Sequence, residues 1–523
     1  MTEEEKMINQ KIEGEREYYT AYSNIPYYLL EDEISSTRIS DFKNEFGKII
    51  KLYKQYDLGA GFLTEGSNMD YVPSTLKYKK ASMIINKEAR FLFSNPPTFI
   101  INQDEVDGKN EKENAILQNY LDKVFEMNNF NSKLLKGLKD CFIGKRIAIV
   151  VNFNETSGVS ITFLNSLEFI YEMDSRENGG LKKFVTFYMM NDETELTKQK
   201  WFKKVYWKEN ENVYISESIY DGMGVVKEEL ITKQKLLFDF IPVTIVFNDG
   251  LTGDVKGRSE LNLLIEYEQY YSKLANSDMD SERKSMNPIR YTIDASEGST
   301  RNLSTSPGSF WDLQTDLEKA NDGNVAAKVG TLEAQMNYSG PLKTTLDRIE
   351  NEMYAEVDVP NINSEQLAGV ITSGKTIQAL YWGLTVRCDE KMLAWGPSLK
   401  FVARTVITGA LLYPSCVKRY TDKKIPKIDY DVVVENNYPI PEDVKEEKEM
   451  DIVEIEAKTM SRKAYLKKWR KLNDEEAEKE LQQIKKEYDL FENSVLVDES
   501  DVDSDSDSDK PTDVDMEEEV DDE

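Results

Sequence analysis

The sequence predicts an α+β protein: an antiparallel sheet region, a long two-helix excursion and a polar helical C-terminal part. Between Arg146 and Asp249 the apolar residues come in short β-branched and aromatic runs broken by turn residues. From Ser259 to Val357 two helical patterns flank a Ser/Thr/Gly-rich insert, residues 285–338. From about Glu442 to Phe491 the pattern is helical but charged on most faces.

Residues 1 to about 24 are charged, and a loosely held helix is expected there. Phe42, Phe46, Ile49, Ile50 and Tyr53 recur at helical spacing within Ser40–Tyr56. A second helix is expected over Leu76–Phe93, stopped by Asn95-Pro96-Pro97, because a residue before proline is pushed into extended backbone. Asn110–Asn128 reads as a polar helix with Ile116, Leu117, Leu121 and Phe125 on one face. Strand runs follow: RIAIVVNF from Arg146, VSITFL from Val159, KKFVTFYMM from Lys182, KKVYW from Lys203 and NVYISESIY from Asn212. Asn178-Gly179-Gly180 and Asp221-Gly222 are turn signals between them, and IPVTIVFND, Ile241–Asp249, is expected to close this one antiparallel sheet.

A long helix is expected from Ser259 to about Lys284, with Leu261, Leu264, Ile265, Glu268, Tyr271 and Leu274 as its inner stripe. Asp278, Asp280 and Glu282 crowd its far end; without the glycine and terminal glutamate of an EF-hand loop they read as a solvated face. Asn287-Pro288 ends the helix, and short strands are expected at IRYTID (Ile289–Asp294) and through Phe310 and Trp311. The second helix begins at Pro341, a favoured first-turn position, with Leu342, Leu346, Ile349 and Met353 as its seam, and stops before Pro360. Beyond it a helix from about Gly374 carries Ile377, Leu380, Tyr381 and Leu384 on one side. Gly396-Pro397 is expected to kink it before it resumes through Leu399, Val402, Val406 and Ala410. Cys388 on this helix reads as core packing, and YDVVVEN from Tyr430 as a strand. No period of 20–50 residues repeats, so no solenoid is expected.

Composition narrows the function classes. With 523 residues, 40% hydrophobic and 11% aromatic, the chain can build a sizeable core. Net charge is −30, of which Asp498–Glu523 contributes −14 from fifteen acids and Lys510. That DSDSDSD-bearing tail has the composition of a disordered segment, and the acidic remainder argues against a surface that grips DNA. There is no histidine, which removes Ser-His-Asp and Cys-His nucleophiles and most zinc sites. Cys141, Cys388 and Cys416 are isolated, as suits a reducing compartment. The acidic N-terminus MTEEEKMINQ is no signal peptide, and no apolar run approaches the ~20 residues that span a bilayer. No catalytic residue, metal site or cofactor is expected.

One motif resists that conclusion. Gly369–Thr376, GVITSGKT, fits the P-loop pattern, in which backbone amides cradle phosphates, the lysine reaches the terminal phosphate and the threonine takes magnesium. A working P-loop follows a buried parallel strand, whereas Val357–Ala368 reads VDVPNINSEQLA. The nearest aspartate-ending apolar run, VTIVFND from Val243, lies upstream in the expected antiparallel sheet, and YDVVVEN has its aspartate before the run. The motif therefore reads better as a loop entering a helix capped by Thr372 or Ser373.

VKGRSELNLLIEYEQYYSKLANSDMDSERKSMNP (Val255–Pro288), DVPNINSEQLAGVITSGKTIQALYWGL (Asp358–Leu384), TMSRKAYLKKWRKLNDEEAEKELQQIKKE (Thr459–Glu487) and SMIINKEARFLFSNPP (Ser82–Pro97) stand in an order that resembles the portal proteins of long-tailed bacteriophages with Gram-positive hosts. The similarity covers roughly residues 30–490. It implies a homo-oligomeric ring, usually of twelve subunits, at one capsid vertex of the virion, assembled in the host cytoplasm. The ring is the channel for double-stranded DNA in packaging and ejection, and it meets terminase, head–tail connector proteins, and the major capsid and scaffold proteins, with no membrane. The resemblance divides the chain into an N-terminal segment (1–24), wing (25–255 and 359–438), stem helices (256–284 and 339–358), clip (285–338), crown (439–492) and acidic tail (493–523). It implies a tunnel loop facing DNA, with Asn361, Asn363, Ser364, Glu365 and Gln366, and Lys375 at the start of its supporting helix. Lys375 departs from the small apolar residue usual after Ser-Gly. Phe310 and Trp311 are the partner-binding candidates of the clip. The alternative from another class is a P-loop ATPase, such as a packaging motor subunit, using Gly369–Thr376; a third reading is a scaffold-type adaptor without a channel.

Overall fold

A computed structural model describes residues 27–31, 33, 35–61, 72–102, 111–173, 180–191, 193, 195–251, 254, 256–286, 289–296, 299, 311–316, 326–332, 337–362, 374–440, 444–470, 472 and 476–487. The expected N-terminal helix and the acidic tail lie outside these residues. The chain divides into two units: residues 1–372 with 376–440, and residues 373–375 with 441–523.

In the first unit, a 3-10 turn at Tyr27–Leu30 precedes α1 (Ser36–Leu58), α2 (Lys80–Phe93), β1 (Thr98–Asn102), α3 (Glu111–Met127) and α4 (Phe130–Gly144). Helix α4 was not expected from the pattern, although Phe130, Leu134, Leu138 and Cys141 fall at helical steps and are all buried.

The one expected sheet is two. Strands β2 (Arg146–Asn154), β3 (Gly158–Asn165) and β9 (Val243–Phe247) form a three-stranded sheet in the order β3-β2-β9. Strands β4 (Phe169–Met173), β5 (Leu181–Met189), β6 (Trp201–Glu209), β7 (Asn212–Tyr220) and β8 (Val226–Lys235) form a five-stranded antiparallel meander. Strand β9 pairs antiparallel with β2, Arg146 opposite Phe247, and does not extend the meander. The reason is in β2 itself: Ile147, Ala148, Ile149, Val150 and Val151 are all buried, so both faces of this strand need cover. Ile147, Ile149 and Val151 join the main core with α4, while Ala148 and Val150 join a second core with Phe169, Phe184, Tyr206 and Val213 of the meander. The three-stranded sheet is thus sandwiched between helices and the second sheet. Arg146 is fully buried and ion-paired to Glu45 of α1 at 2.7 Å, its guanidinium 5.3 Å from the Tyr171 ring centre.

The helical excursion consists of α5 (Leu261–Met286), β10 (Ile289–Ile293), β11 (Lys328–Leu332) and α6 (Ser339–Ala355). Strands β10 and β11 pair antiparallel, Ile289 opposite Leu332. No strand runs through Trp311, and Phe310 lies outside the described residues; a single bridge joins Ala295 to Thr315. The last long helix is broken at Tyr381 into α7 (Gly374–Leu380) and α8 (Trp382–Leu412); Pro397, where a kink was expected, lies inside α8, which resumes beyond it. The packed neighbours Trp395, Ser398 and Leu399 hold the turns around the missing N–H. After the short α9 (Pro414–Val417), β12 (Asp431–Glu435) pairs antiparallel with β1. Cys388 is buried in the core, as expected of its position.

The second unit contains α10 (Val444–Glu456), α11 (Arg462–Arg470) and a helix over residues 476–487. Polar contacts join them: Asp451 accepts from Trp469 Nε1 at 2.6 Å and pairs with Lys468 at 2.9 Å, and Lys463 pairs with Glu478 at 2.7 Å.

Helix α8 lies so close to β2 that a Cβ on Gly409 would sit 1.9 Å from the Phe153 ring. Gly409→Ala gains about 1 kcal/mol of helix propensity but forces the ring to move, so a net loss of roughly 1–3 kcal/mol is expected in denaturant unfolding. A variant as stable as the parent would refute this close approach.

Candidate functional site

Helices α5 and α6 pack side by side and run antiparallel. Their distal ends are joined by the β10–β11 pair, and Lys80 of α2 marks a second level nearer the core. There its ammonium pairs with Glu350 of α6 at 2.8 Å and lies 5.2 Å from the Tyr271 ring centre on α5. At 1.5 Å per residue α5 is about 39 Å long. Lys87 of α2 also donates to Tyr354 Oη of α6 at 2.9 Å.

The inner stripe of α5 differs from the one expected, of which Glu268 was the sole polar member. Its first part is apolar, with Leu261 and Leu264 buried, but its distal part buries Glu268, Ser272, Asn276 and Asp280, while Tyr271 and Leu274 are half-buried. These four polar residues recur every fourth position and hold the extended segment 72–81. Asp280 accepts from Ser74 N at 3.0 Å and from Ser74 Oγ at 2.7 Å. Asn276 accepts from Leu76 N at 2.8 Å and donates to Leu76 O at 2.7 Å. Ser272 Oγ accepts from Tyr78 N at 3.2 Å, and Glu268 accepts from Ala81 N at 3.1 Å and Ala60 N at 3.0 Å. Arg283 ends the series on Val72 O at 2.7 Å. Four helical residues rise about 6 Å and two extended residues about 6.6 Å, so Ser74, Leu76 and Tyr78 meet successive turns of the helix, and Ala81, in the first turn of α2, meets the next. Asp280 is therefore a structural ligand of backbone, which corrects the solvated-face expectation for it; Glu282 is exposed. Burial raises the Glu268 carboxyl above its ordinary pKa, against the backbone donors that lower it.

At the base of α5 lies a buried charge cluster. Glu260, just before the helix, pairs with Arg387 and Lys391, one turn apart on α8, and accepts from Asn248 Nδ2 at 3.0 Å. Arg387 Nε also donates to Glu88 of α2 at 2.9 Å. Against the opposing effect of burial, Lys391 and Arg387 hold Glu260 below the usual carboxylate range. Glu88, fully buried with Oε2 unpartnered among the described residues, is pushed up to about 7 by burial and by the Glu260 charge. The cluster ties α2, the root of α5 and α8 together. In the sequence it was signalled by two cations one turn apart on α8, and the ladder by four polar residues at helical spacing, of which only Glu268 was singled out.

The predicted site residues are only partly brought together. Asn361 is half-buried and donates to Asn351 of α6 at 2.8 Å. Asn363, Ser364, Glu365 and Gln366 lie outside the described residues, as do residues 369–373 of the P-loop-like motif. Lys375 is in the first turn of α7; its side chain is not among those described. Trp311 is half-buried, with the Arg290 guanidinium 5.1 Å from its ring centre. VTIVFND falls on β9, antiparallel to its neighbour, so no described strand supplies the parallel setting of a P-loop. Among the described residues no three His, Cys, Asp or Glu side chains are grouped to hold a metal ion, and no helix is long and apolar enough to cross a membrane.

The described residues form a mixed helix-and-sheet chain whose paired helices are braced by α2, itself held by a polar ladder. The family model described as phage portal protein, SPP1 Gp6-like, matches residues 9–489. The chain belongs to that family and is a phage portal protein. Portal proteins are structural, non-enzymatic proteins. No curated protein matches the chain.

Asn276→Ala removes both bonds to Leu76 and is expected to cost about 1–3 kcal/mol and to speed hydrogen exchange at the Leu76 amide; unchanged exchange would show that the ladder does not hold the segment. The pH dependence follows from Glu88. A carboxyl raised from 4.5 to about 7 on folding takes up a proton, so its contribution to stability is lost as pH rises across that window. Glu88→Gln is expected to flatten the decline of unfolding free energy between those values, and an unchanged slope would overturn the assignment.

Proposed function

We propose that this portal protein assembles into a homo-oligomeric ring, of twelve subunits as is usual, at one capsid vertex of a long-tailed phage of a Gram-positive host. The ring is the channel through which double-stranded DNA enters and leaves. The observation that carries this reading is the paired-helix excursion, α5–β10–β11–α6, within a chain matched to the portal family over most of its length. In this reading residues 256–284 and 339–358 are the stem and residues 285–338 are the clip, which meets terminase and then the head–tail connector, with Phe310 and Trp311 as its contact candidates. Residues 25–255 and 359–438 are the wing, and residues 439–492 the crown.

Passing DNA has to be surrounded without being gripped, since each phosphate contact adds salt-dependent affinity. An acidic body suits that requirement. The tunnel loop, with Asn361, Asn363, Ser364, Glu365 and Gln366, supplies short polar contacts, and Lys375 adds a cation that the ring multiplies.

Purified protein is expected to form rings with a central hole in electron micrographs, without ATP turnover. Deleting residues 361–372 should leave the rings intact and stop DNA packaging. Packaging by the deletion variant would refute the tunnel-loop assignment, and ATP hydrolysis abolished by Lys375→Ala would refute the whole reading.

A further inference from the structure

The end of α8, helix α9 and the loop after it enclose a cleft of about 430 Å³ that the portal reading does not use. Its floor is apolar: Ala410, Val417 and Ile425 are buried beneath the half-buried Leu411 and the exposed Pro414. Its rim carries three bases and one acid: Lys418, Lys423 and Lys424 are exposed beside the exposed Asp422, and among the described residues none of the three lysines is in an ion pair. From Lys418 to Lys427 the chain carries five bases and one acid, in a protein of net charge −30. Cations near a helix C-terminus are favoured by its dipole, but that accounts for neither the open apolar floor nor three unpaired lysines around it. A nucleic-acid backbone would satisfy the lysines and leave the floor empty. The occupant that fits both is an acidic peptide with apolar anchor residues.

This sequence contains such a peptide. Val495-Leu496-Val497 is followed directly by Asp498, Glu499 and Asp501, at the head of a stretch with charge −14. We propose that the cleft receives the Val495–Asp501 segment of a second copy of this chain, its apolar residues on the floor and its carboxylates against Lys418, Lys423 and Lys424. The proposal rests on the ring reading, because an acidic tail approaching an acidic body is repelled at long range, and a neighbour in a ring supplies it instead at a high effective concentration. The tail would then be a strap between neighbours, and the clustering of bases at the end of α9 would have a ligand.

All three native cysteines are buried, so introduced ones are the reactive pair. Full-length chains carrying Lys424→Cys and differently tagged full-length chains carrying Val497→Cys are mixed before assembly and oxidised. The expected result is a disulfide-linked species containing both tags, reduced about tenfold by Lys418→Glu with Lys423→Glu and weakened by salt near 0.5 M, as exposed ion pairs are. Electron microscopy of the same samples separates the two readings. Rings without the mixed crosslink overturn the strap and leave the ring standing, whereas no rings at all removes the ring reading and the strap with it. A crosslink that forms only when both cysteines are in one chain, or that survives the lysine reversals unchanged, also overturns the proposal.

Discussion

An extended chain lying on a helix leaves its amides facing side chains, and those amides have to be satisfied. In this protein the condition is met by placing Glu268, Ser272, Asn276 and Asp280 on successive turns of α5; the last three hold the alternate residues Tyr78, Leu76 and Ser74 of the segment that leads into α2, and Glu268 holds Ala81 in the first turn of α2. Much else depends on this contact. The segment delivers α2 to the point where Lys80 reaches Glu350 and Lys87 reaches Tyr354, so α6 is aligned to α5 through a third helix. Polar groups can carry such a role because every one of them has a partner; a half-satisfied row would be worse than an apolar one.

The charge cluster at the root of α5 works by a different rule. Glu260, Arg387, Lys391 and Glu88 are balanced in sign, yet removing that many ionic groups from water is costly unless the geometry compensates. Glu260 is compensated by two cations and an amide, whereas Glu88 keeps one oxygen unpartnered among the described residues. The outcome is two carboxyls with opposite tendencies in one site. Helix α8, which carries both cations, follows the short helix Gly374–Leu380 after the break at Tyr381.

The sequence was most legible where one physical requirement dominated. The helix at Ser36–Leu58, the excursion from Leu261 to Ala355 and the strand at Asp431–Glu435 followed from periodicity and proline placement. It was least legible where tertiary context decided. Strand β8 is exposed along almost its whole length and reads VKEELITKQK, with no alternation to reveal it; it is a strand because β7 pairs with it. The split into two sheets depended on the burial of both faces of β2, which a continuous apolar run permits but does not require. Pro397 was read as lying within a helix that resumes beyond it, and α8 runs through it with Trp395, Ser398 and Leu399 buried around it. Of the candidate site, Asn361 and Trp311 could be placed, and the braces of the paired helices were polar residues that pattern reading assigns to solvent by default.

The ladder on α5 behaves as a vernier. Its two scales advance by about 6.0 and 6.6 Å per rung over the two even steps from Asp280–Ser74 to Ser272–Tyr78, a mismatch of roughly 1.2 Å. Short side chains absorb that, and the ends depart from the even spacing: Glu268 reaches Ala81, three residues past Tyr78 and inside α2, and the long, jointed Arg283 reaches Val72 from three residues past Asp280. A scale of this kind measures as well as holds. It fixes how far along the helix the chain can be laid, and it ends by itself near the point where α5 gives way to the insert.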